Sequence, residues 1–463
     1  MKLNTSLKEN ERTLDKIFDI KNNFDIVNRS IILSNRDVNL YFVDGFVKDE
    51  IMEKIMEFLY GSTFDFTKPI DIIEKSFIPY VEVSISDQIN DITTFVLSGM
   101  LAMIIDGYDY AIMIDSRTYP VRSIEEPDTD KVLRGSRDGF VETMIFNCAL
   151  IRRKIRDTNL RMKLLQVGNA SKTDIVISYL DNKVDKKLLN RLIDQIEHMD
   201  IQSITMGQES LAEVLIKQKW YNPFPCVKFS ERPDSVTANI LEGRIIIIID
   251  NTPAVLILPT YLLDFAQEAQ DYYFPTLLGS YIRMIRILVF FMSFVITPIW
   301  LLMIQNPNLV PEFLKFMLVD KPTNIPIFLQ LIMLELGLDA LQLASLNTPS
   351  TLNSSLSIIG GLILGEFAIK AGWFNSEAIL YMAFVAMSSF TYTSFELSYA
   401  IKFSRILLLI LIASFNIYGF IIGILIVLYM LFTSKSYSFK NYLYPLFPLD
   451  LKQLKKFIVR EKL

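Results

Sequence analysis

Hydrophobic and polar positions divide this chain near residue 275. Before that point, short runs rich in Val, Ile and Leu alternate with amphipathic stretches; after it, long apolar runs dominate. Four short runs, Val38–Asp44, Met100–Asp106, Thr173–Asp181 and Arg244–Asp250, predict strands. Their near-continuous apolar character predicts strands covered on both faces. Each ends in a turn: Asp44-Gly45, Asp106-Gly107, Asp181-Asn182 and Asp250-Asn251.

The four runs form two pairs. LYFVDGFVKDEIMEKI matches VISYLDNKVDKKLLNRL with Asp44 over Asp181, 137 positions on, and MLAMIIDGYDYAIMID matches RIIIIIDNTPAVLILP with Asp106 over Asp250, 144 positions on. Both copies read as strand, Asp turn and amphipathic helix, then a hairpin of strand, Asp turn and strand. Two related subdomains are one explanation; chance recurrence of Asp in turns is the other.

Beyond Arg283 the pattern is that of membrane segments. Ile287–Ile304 is apolar over 18 residues, with Pro298 as an expected kink. Ile325–Leu338 is short and contains Glu335, which suits a re-entrant or interfacial segment. Leu352–Ala371 and Ala378–Phe390 follow. Ile406–Phe432 runs for 27 residues with Asn416 and Gly419 inside, as one tilted helix or a tight helical pair. Four to six passes are expected. The fold class is therefore an α/β N-terminal soluble region of two related subdomains, followed by an α-helical multi-pass membrane domain. The expected divisions are an N-terminal extension (1–24), a first subdomain (25–133), a helical connector (134–169), a second subdomain (170–275), a membrane domain (276–433) and a basic tail (434–463).

Composition agrees with that division: 51% hydrophobic residues are many for a soluble enzyme, and 21% charged residues are many for an all-membrane transporter. The formal charge of −5 leaves no basic stripe for nucleic acid. The charged N-terminus has no apolar signal core, so the first region is expected to stay on the side of synthesis. Arg283 and Arg286 before the first run, and seven Lys/Arg against two Asp/Glu after Phe432, put that region and the tail on the cytoplasmic side. Cys148 and Cys226 fit neither a disulfide framework nor a zinc spacing. The single histidine, His198, excludes a His-based triad or a multi-His metal site and reads as a surface or capping residue. No phosphate-binding loop, dinucleotide fingerprint or zinc-protease motif is present. The expectation is no enzyme, no metal and no cofactor.

Three groups of residues carry candidate function. On a helical wheel Asn353, Ser357, Gly360, Gly361, Leu364, Ala368 and Ala371 share one face, opposite Leu356, Ile359, Ile363 and Phe367. The small face suits close helix packing or the lining of a pore with Leu364 as a constriction. Glu366 and Lys370 form an i,i+4 pair, either mutually neutralising or controlling permeation or subunit contact. Arg152, Arg153, Lys154 and Arg156 make a basic face, either solvated or salt-bridged, or a contact surface for another subunit or anionic lipid heads.

Several separated segments, in order, resemble the GerA-type spore germinant receptor A subunits: RGSRDGFVETMIFNCALIRRKIRDTNL, QVGNASKTDIVISYLDN, FSERPDSVTANILEGRIIIIIDNTPAVLILP and DYYFPTLLGSYIRMIR. Asp320–Phe374 is most similar to the stage V sporulation AF branch of that family. The resemblance implies the spore inner membrane, a role in exit from dormancy, ring oligomers (pentamers) of the chain, other germination membrane proteins as partners, and conduction of monovalent cations. Where relatives carry basic residues, this chain has Asn169-Ala170, so of that basic motif only Ser171-Lys172-Thr173 carries over. Two alternatives to an ion pathway remain: an anchored module that binds a nutrient or a receptor subunit, and a scaffold that clusters receptors.

Overall fold

The computed structural model describes residues 1–47, 49–61, 66, 69, 82–116, 135–268, 270–319, 324–346, 365, 367–392 and 394–460. The chain forms two compact units. The first is Met1–Lys217, Val227–Thr260 and Tyr437–Phe439; the second is Gln218–Cys226, Tyr261–Ser436 and Lys440–Leu463.

The first unit contains two five-stranded sheets of the same topology. Strands β1 (Ile26–Leu33), β2 (Arg36–Val43), β3 (Val83–Ser86), β4 (Leu101–Ile105) and β5 (Ala111–Ile114) are ordered β1-β2-β4-β5-β3. Strands β6 (Leu160–Val167), β7 (Thr173–Leu180), β8 (Lys228–Ser230), β9 (Ile245–Ile249) and β10 (Val255–Leu258) are ordered β6-β7-β9-β10-β8. Every pairing is antiparallel. The four strands expected from sequence are β2, β4, β7 and β9. The central strands are buried throughout because helices cover both faces of each sheet. On the first sheet, α1 (Leu7–Phe18) and α3 (Ile89–Leu97) pack on one face and α2 (Asp49–Gly61) on the other. On the second, α4 (Met144–Lys154) and α7 (Pro233–Leu241) share one apolar cluster; α5 (Lys186–Glu197) and α6 (Gly207–Leu215) bury Leu188, Leu192 and Leu211 elsewhere.

The repeat extends to single hydrogen bonds, and it includes α1 and α4. Asp106 Oδ1 accepts from Leu7 N at 3.0 Å and Asp250 Oδ1 accepts from Met144 N at 3.2 Å, so each Asp turn satisfies an orphan donor at a helix start. Buried Asn10 holds residue 4 through both its amide atoms, and buried Asn147 holds residue 141 in the same way. Gly99 and Gly243, both at positive φ, precede β4 and β9. The helix within 134–169, expected to be a connector, is thus the opening helix of the second repeat. The residues before β1 hold the corresponding helix of the first.

The two repeats are joined by a buried clasp. Asn23 pairs with Met162 as a parallel bridge, and its Oδ1 accepts from Met162 N at 2.8 Å. Beside it, Arg152 donates to both carboxylate oxygens of Asp25, at 2.9 and 3.0 Å, and to Leu160 O at 3.2 Å. Of the sequence alternatives, Arg152 takes the salt-bridged one and not the contact surface, because its side chain is fully buried against Asp25. A helix packed among two sheets has no solvent face at that position. Of its neighbours, Arg153 is half-buried, Lys154 lies 4.0 Å from Asp138, and Arg156 and Lys172 are exposed.

The second unit is helical. Its long elements are α8 (Thr276–Gln305), α9 (Ile327–Leu346), α10 (Ser376–Ser389) and α11 (Phe395–Thr433). Three of them, α8, α9 and α11, contain windows long and apolar enough to cross a membrane, and α10 is a shorter apolar helix. The segment around Glu335, expected to be re-entrant or interfacial, is part of the 20-residue helix α9. α11 is two helices: Asn416 has φ 54° and ψ −130°, outside helical geometry. A Cβ on Gly419 would stand 1.9 Å from Leu411 O, and one on Gly423 2.5 Å from Leu408 Cδ2. Residues three and seven positions after the break therefore lie against residues five and eight positions before it, the pattern of an antiparallel helical hairpin. Of the two sequence alternatives, the tight pair is the one adopted.

Candidate functional site: a charge network inside the membrane unit

Two helices bring charged groups into the interior of the second unit, and a third offers them a backbone carbonyl. α9 supplies Glu335 and Asp339, one turn apart; α11 supplies Lys402 and Arg405; α8 supplies the backbone of Ser293. Arg405 Nε donates to Glu335 Oε1 at 2.6 Å and Arg405 Nη1 to Ser293 O at 2.9 Å. Lys402 Nζ lies 3.6 Å from Glu335 Oε2, donates to Glu335 O at 3.2 Å and pairs with Asp339. Glu335 is 2% exposed and Arg405 4%. Two carboxylates meet two cations, so the group is formally neutral. An isolated charge at this depth would carry a large desolvation penalty, and mutual pairing removes most of the reason to expel it.

Local sequence explains the placement. Pro298 has no N–H, so the α8 hydrogen-bond ladder is interrupted at Phe294 O, next to the carbonyl that Arg405 occupies. The Ser293 hydroxyl bonds Tyr392, the residue that follows α10 closely. A second polar pair marks the far end: Asn306, just past α8, and Asn416, at the hairpin break, exchange side-chain hydrogen bonds of 2.5 and 3.1 Å. Between the two levels lies an apolar cluster of Trp300, Leu331, Leu334, Ala378, Met382, Leu409 and Ile412.

These levels fix the direction of each helix. α8 passes from Ser293 to Asn306 as the first half of α11 passes from Arg405 to Asn416, so the two run together. α9 enters at the apolar level (Leu331) and reaches the charged level at Glu335, so it runs opposite. The second half of α11 returns by the hairpin. The start of α8 and the end of α11 therefore share one end of the unit.

At that end a second ionic cluster sits around Asp271. Arg283 Nε donates to Asp271 Oδ2 at 3.2 Å, while Arg286 donates to Asp271 at 3.0 Å and to Glu268 at 2.7 Å. The two arginines that mark the start of the first span in the sequence are thus buried and paired. His198 ends α5, with Nδ1 2.9 Å from Asp194 O. Cys148 and Cys226 are both free and buried; burial pushes the Cys148 thiol well up and the Cys226 thiol up to about 12. No cluster of metal-ligating groups occurs among the described residues.

Of the residues singled out in the sequence, Asn353, Ser357, Gly360, Gly361, Leu364 and Glu366 lie outside the described residues. Ala368 is half-buried against the Trp300 cluster, Lys370 is exposed, and Phe367 is 61% exposed. Glu335 was marked as the charge in a short apolar run, but its network with Asp339, Lys402 and Arg405 was not expected. Its signal was present as opposite charges in two apolar runs, but 70 residues separate Glu335 from Arg405.

The sequence profile described as Bacillus/Clostridium GerA spore germination protein matches residues 12–463. The chain is 37% identical over 440 residues to stage V sporulation protein AF of Bacillus subtilis (strain 168), a match covering 94% of this chain and 89% of that protein. It is 28% identical over 432 residues to spore germination protein KA of the same organism, covering 93% and 77%. Among solved structures, the N-terminal domain of the A subunit of the Bacillus megaterium spore germinant receptor GerK3 aligns at TM-score 0.41 and 25% identity, covering 56% of this chain and 96% of that one.

Proposed function

Because the chain belongs to the Bacillus/Clostridium GerA spore germination protein family, we propose that it is an oligomeric, ion-conducting or ion-release-amplifying component of the spore inner membrane. The N-terminal unit and the tail lie on the core side. Several copies surround a pathway lined by the small face of 353–368, and monovalent cations pass through it. The observation that carries this reading is the buried Glu335–Arg405–Lys402 network. Ionisable groups inside membrane helices are costly, and they mark ion pathways or the devices that hold them. The pairs between α9 and α11 give such a pathway a fixed wall.

The test uses spores that carry Ser357→Trp or Ser357→Ala at normal protein levels. Potassium release during germination is expected to be slowed by the Trp variant and near normal in the Ala variant. Unimpaired release from a stably made Ser357→Trp protein would remove Ser357 from the pathway.

A further inference from the structure

Three segments of the second unit place exposed apolar side chains and lysines at the end shared by the start of α8 and the end of α11. The first is 219–221. Asn222 Nδ2 bonds Met430 O and Ser434 Oγ, both at 2.9 Å, which holds the preceding residues beside the last turn of α11. There Trp220 is 96% exposed, and the Lys219 ammonium lies 5.6 Å from the Tyr221 ring.

The second is the loop 446–450, with Leu446, Phe447 and Leu449 exposed; Phe447 sets its ring edge-on to Phe432 of α11, 5.3 Å away. The third is α12 (Leu451–Ile458), capped by Asp450, whose carboxylate accepts from Gln453 N. Its Leu451, Leu454, Phe457 and Ile458 fall on one side and Lys452, Lys455 and Lys456 on the other. Its end is fastened to the start of α8: Arg460 N bonds Ser280 Oγ at 3.0 Å and Arg283 Nη1 bonds Lys456 O at 3.3 Å. The adjoining turns of α8 expose Leu277, Tyr281 and Met284.

In water such a surface would expose a large apolar patch. At the boundary of a bilayer the same surface is favourable: aromatic rings and Leu side chains reach the acyl edge while lysine stems carry their ammonium groups to phosphates. Lys452 and Lys455 have no ion-pair partner among the described residues. The patch is continuous with the exposed apolar side of α8, a helix long and apolar enough to cross a membrane, and that continuity points to a bilayer as its occupant.

We propose that 219–221, 446–450 and α12 form a collar that lies in the headgroup layer and selects anionic phospholipid, with Lys219, Lys452 and Lys455 on the phosphates and Trp220, Phe447 and Leu449 at the acyl edge. The proposal rests on membrane embedding and is independent of ion conduction.

Two measurements on the full chain in nanodiscs test it. In the first, tryptophan fluorescence is quenched by lipids brominated near the headgroup end of the acyl chain. In a Trp373→Phe background, which removes the other exposed indole, the Trp220→Phe variant is expected to lose most of the quenchable signal, because Trp300 is buried. An unchanged quenching profile would put Trp220 in water and overturn the collar. In the second, phosphatidylglycerol and phosphatidylcholine retained by the protein are compared. Enrichment of phosphatidylglycerol is expected to fall about a hundredfold in Lys219→Gln/Lys452→Gln/Lys455→Gln, at about 1 kcal/mol for each of the three interfacial basic residues. Equal enrichment in that variant, or displacement of the lipid by millimolar inorganic phosphate, would overturn anionic lipid as the ligand.

Discussion

Arg152 illustrates how a side chain's role is set by what surrounds it in space. It sits in a run of basic residues that suits a solvated helix face, yet it closes a buried clasp on Asp25 and Leu160 O. Arg152→Met would leave the Asp25 carboxylate buried and unpaired, a loss of about 3–5 kcal/mol. Replacing both, Asp25→Leu/Arg152→Met, should recover most of that loss. Amide exchange in β1 and β6 of the full chain reads the difference; equal protection in Arg152→Met and wild type would refute the clasp.

The cysteines give a pH prediction. Burial raises both thiol pKa values, so both are neutral in the folded and unfolded states below about pH 8. Above it the unfolded thiols ionise first, and stability falls as pH climbs toward the folded values. Iodoacetamide at pH 8 should modify neither cysteine in the folded protein and both after denaturation. Rapid native labelling of Cys226 would contradict its burial.

At the scale of elements, what the sequence revealed depended on whether the information was local. β4 and β9 are runs of apolar residues buried on both sides, and their strand character is visible in five residues. β1 and β6 are edge strands in which polar Arg29, Ser30 and Gln166 share the exposed positions with apolar Ile32 and Leu164, so their pattern is broken. The kinship of α1 and α4 rests on single polar residues, Asn10 and Asn147, which no hydrophobic period reports. The hairpin in α11 left a clearer mark, an Asn and two glycines in an otherwise apolar run. Gly419→Ala drives a Cβ into a backbone carbonyl, whereas Gly423→Ala meets the end of a leucine side chain that can turn aside. Overpacking costs about 1–3 kcal/mol, with Gly419 expected at or above the top of that range and Gly423 at the bottom. Melting temperatures in detergent rank the two; equal values would speak against the hairpin.

The pairing of α9 with α11 depends on matched buried charges. Glu335→Gln leaves Arg405 with a neutral partner and should destabilise the unit, by about 3–5 kcal/mol if the charge is not rehydrated. The reversed pair Glu335→Arg/Arg405→Glu should be better tolerated than either reversal alone. A double variant no better than the singles would show that the two charges do not act as a pair.

For the whole molecule, the division into an α/β unit built twice and a helical unit with spanning helices was legible from composition and pattern alone. The charge network was not, because Ser293, Glu335 and Arg405 meet only after three helices have taken their directions. Those directions bring the start of α8 and the end of α11 to one end.

The central claim is that this chain, in a bilayer, lets monovalent cations through. The direct measurement is potassium efflux from liposomes containing only the purified full-length protein. The account predicts efflux above that of empty liposomes, lowered by Ser357→Trp and changed by Glu335→Gln in protein that is still folded. Efflux indistinguishable from empty liposomes, with folded oligomers present in the membrane and a cation gradient across it, would contradict it.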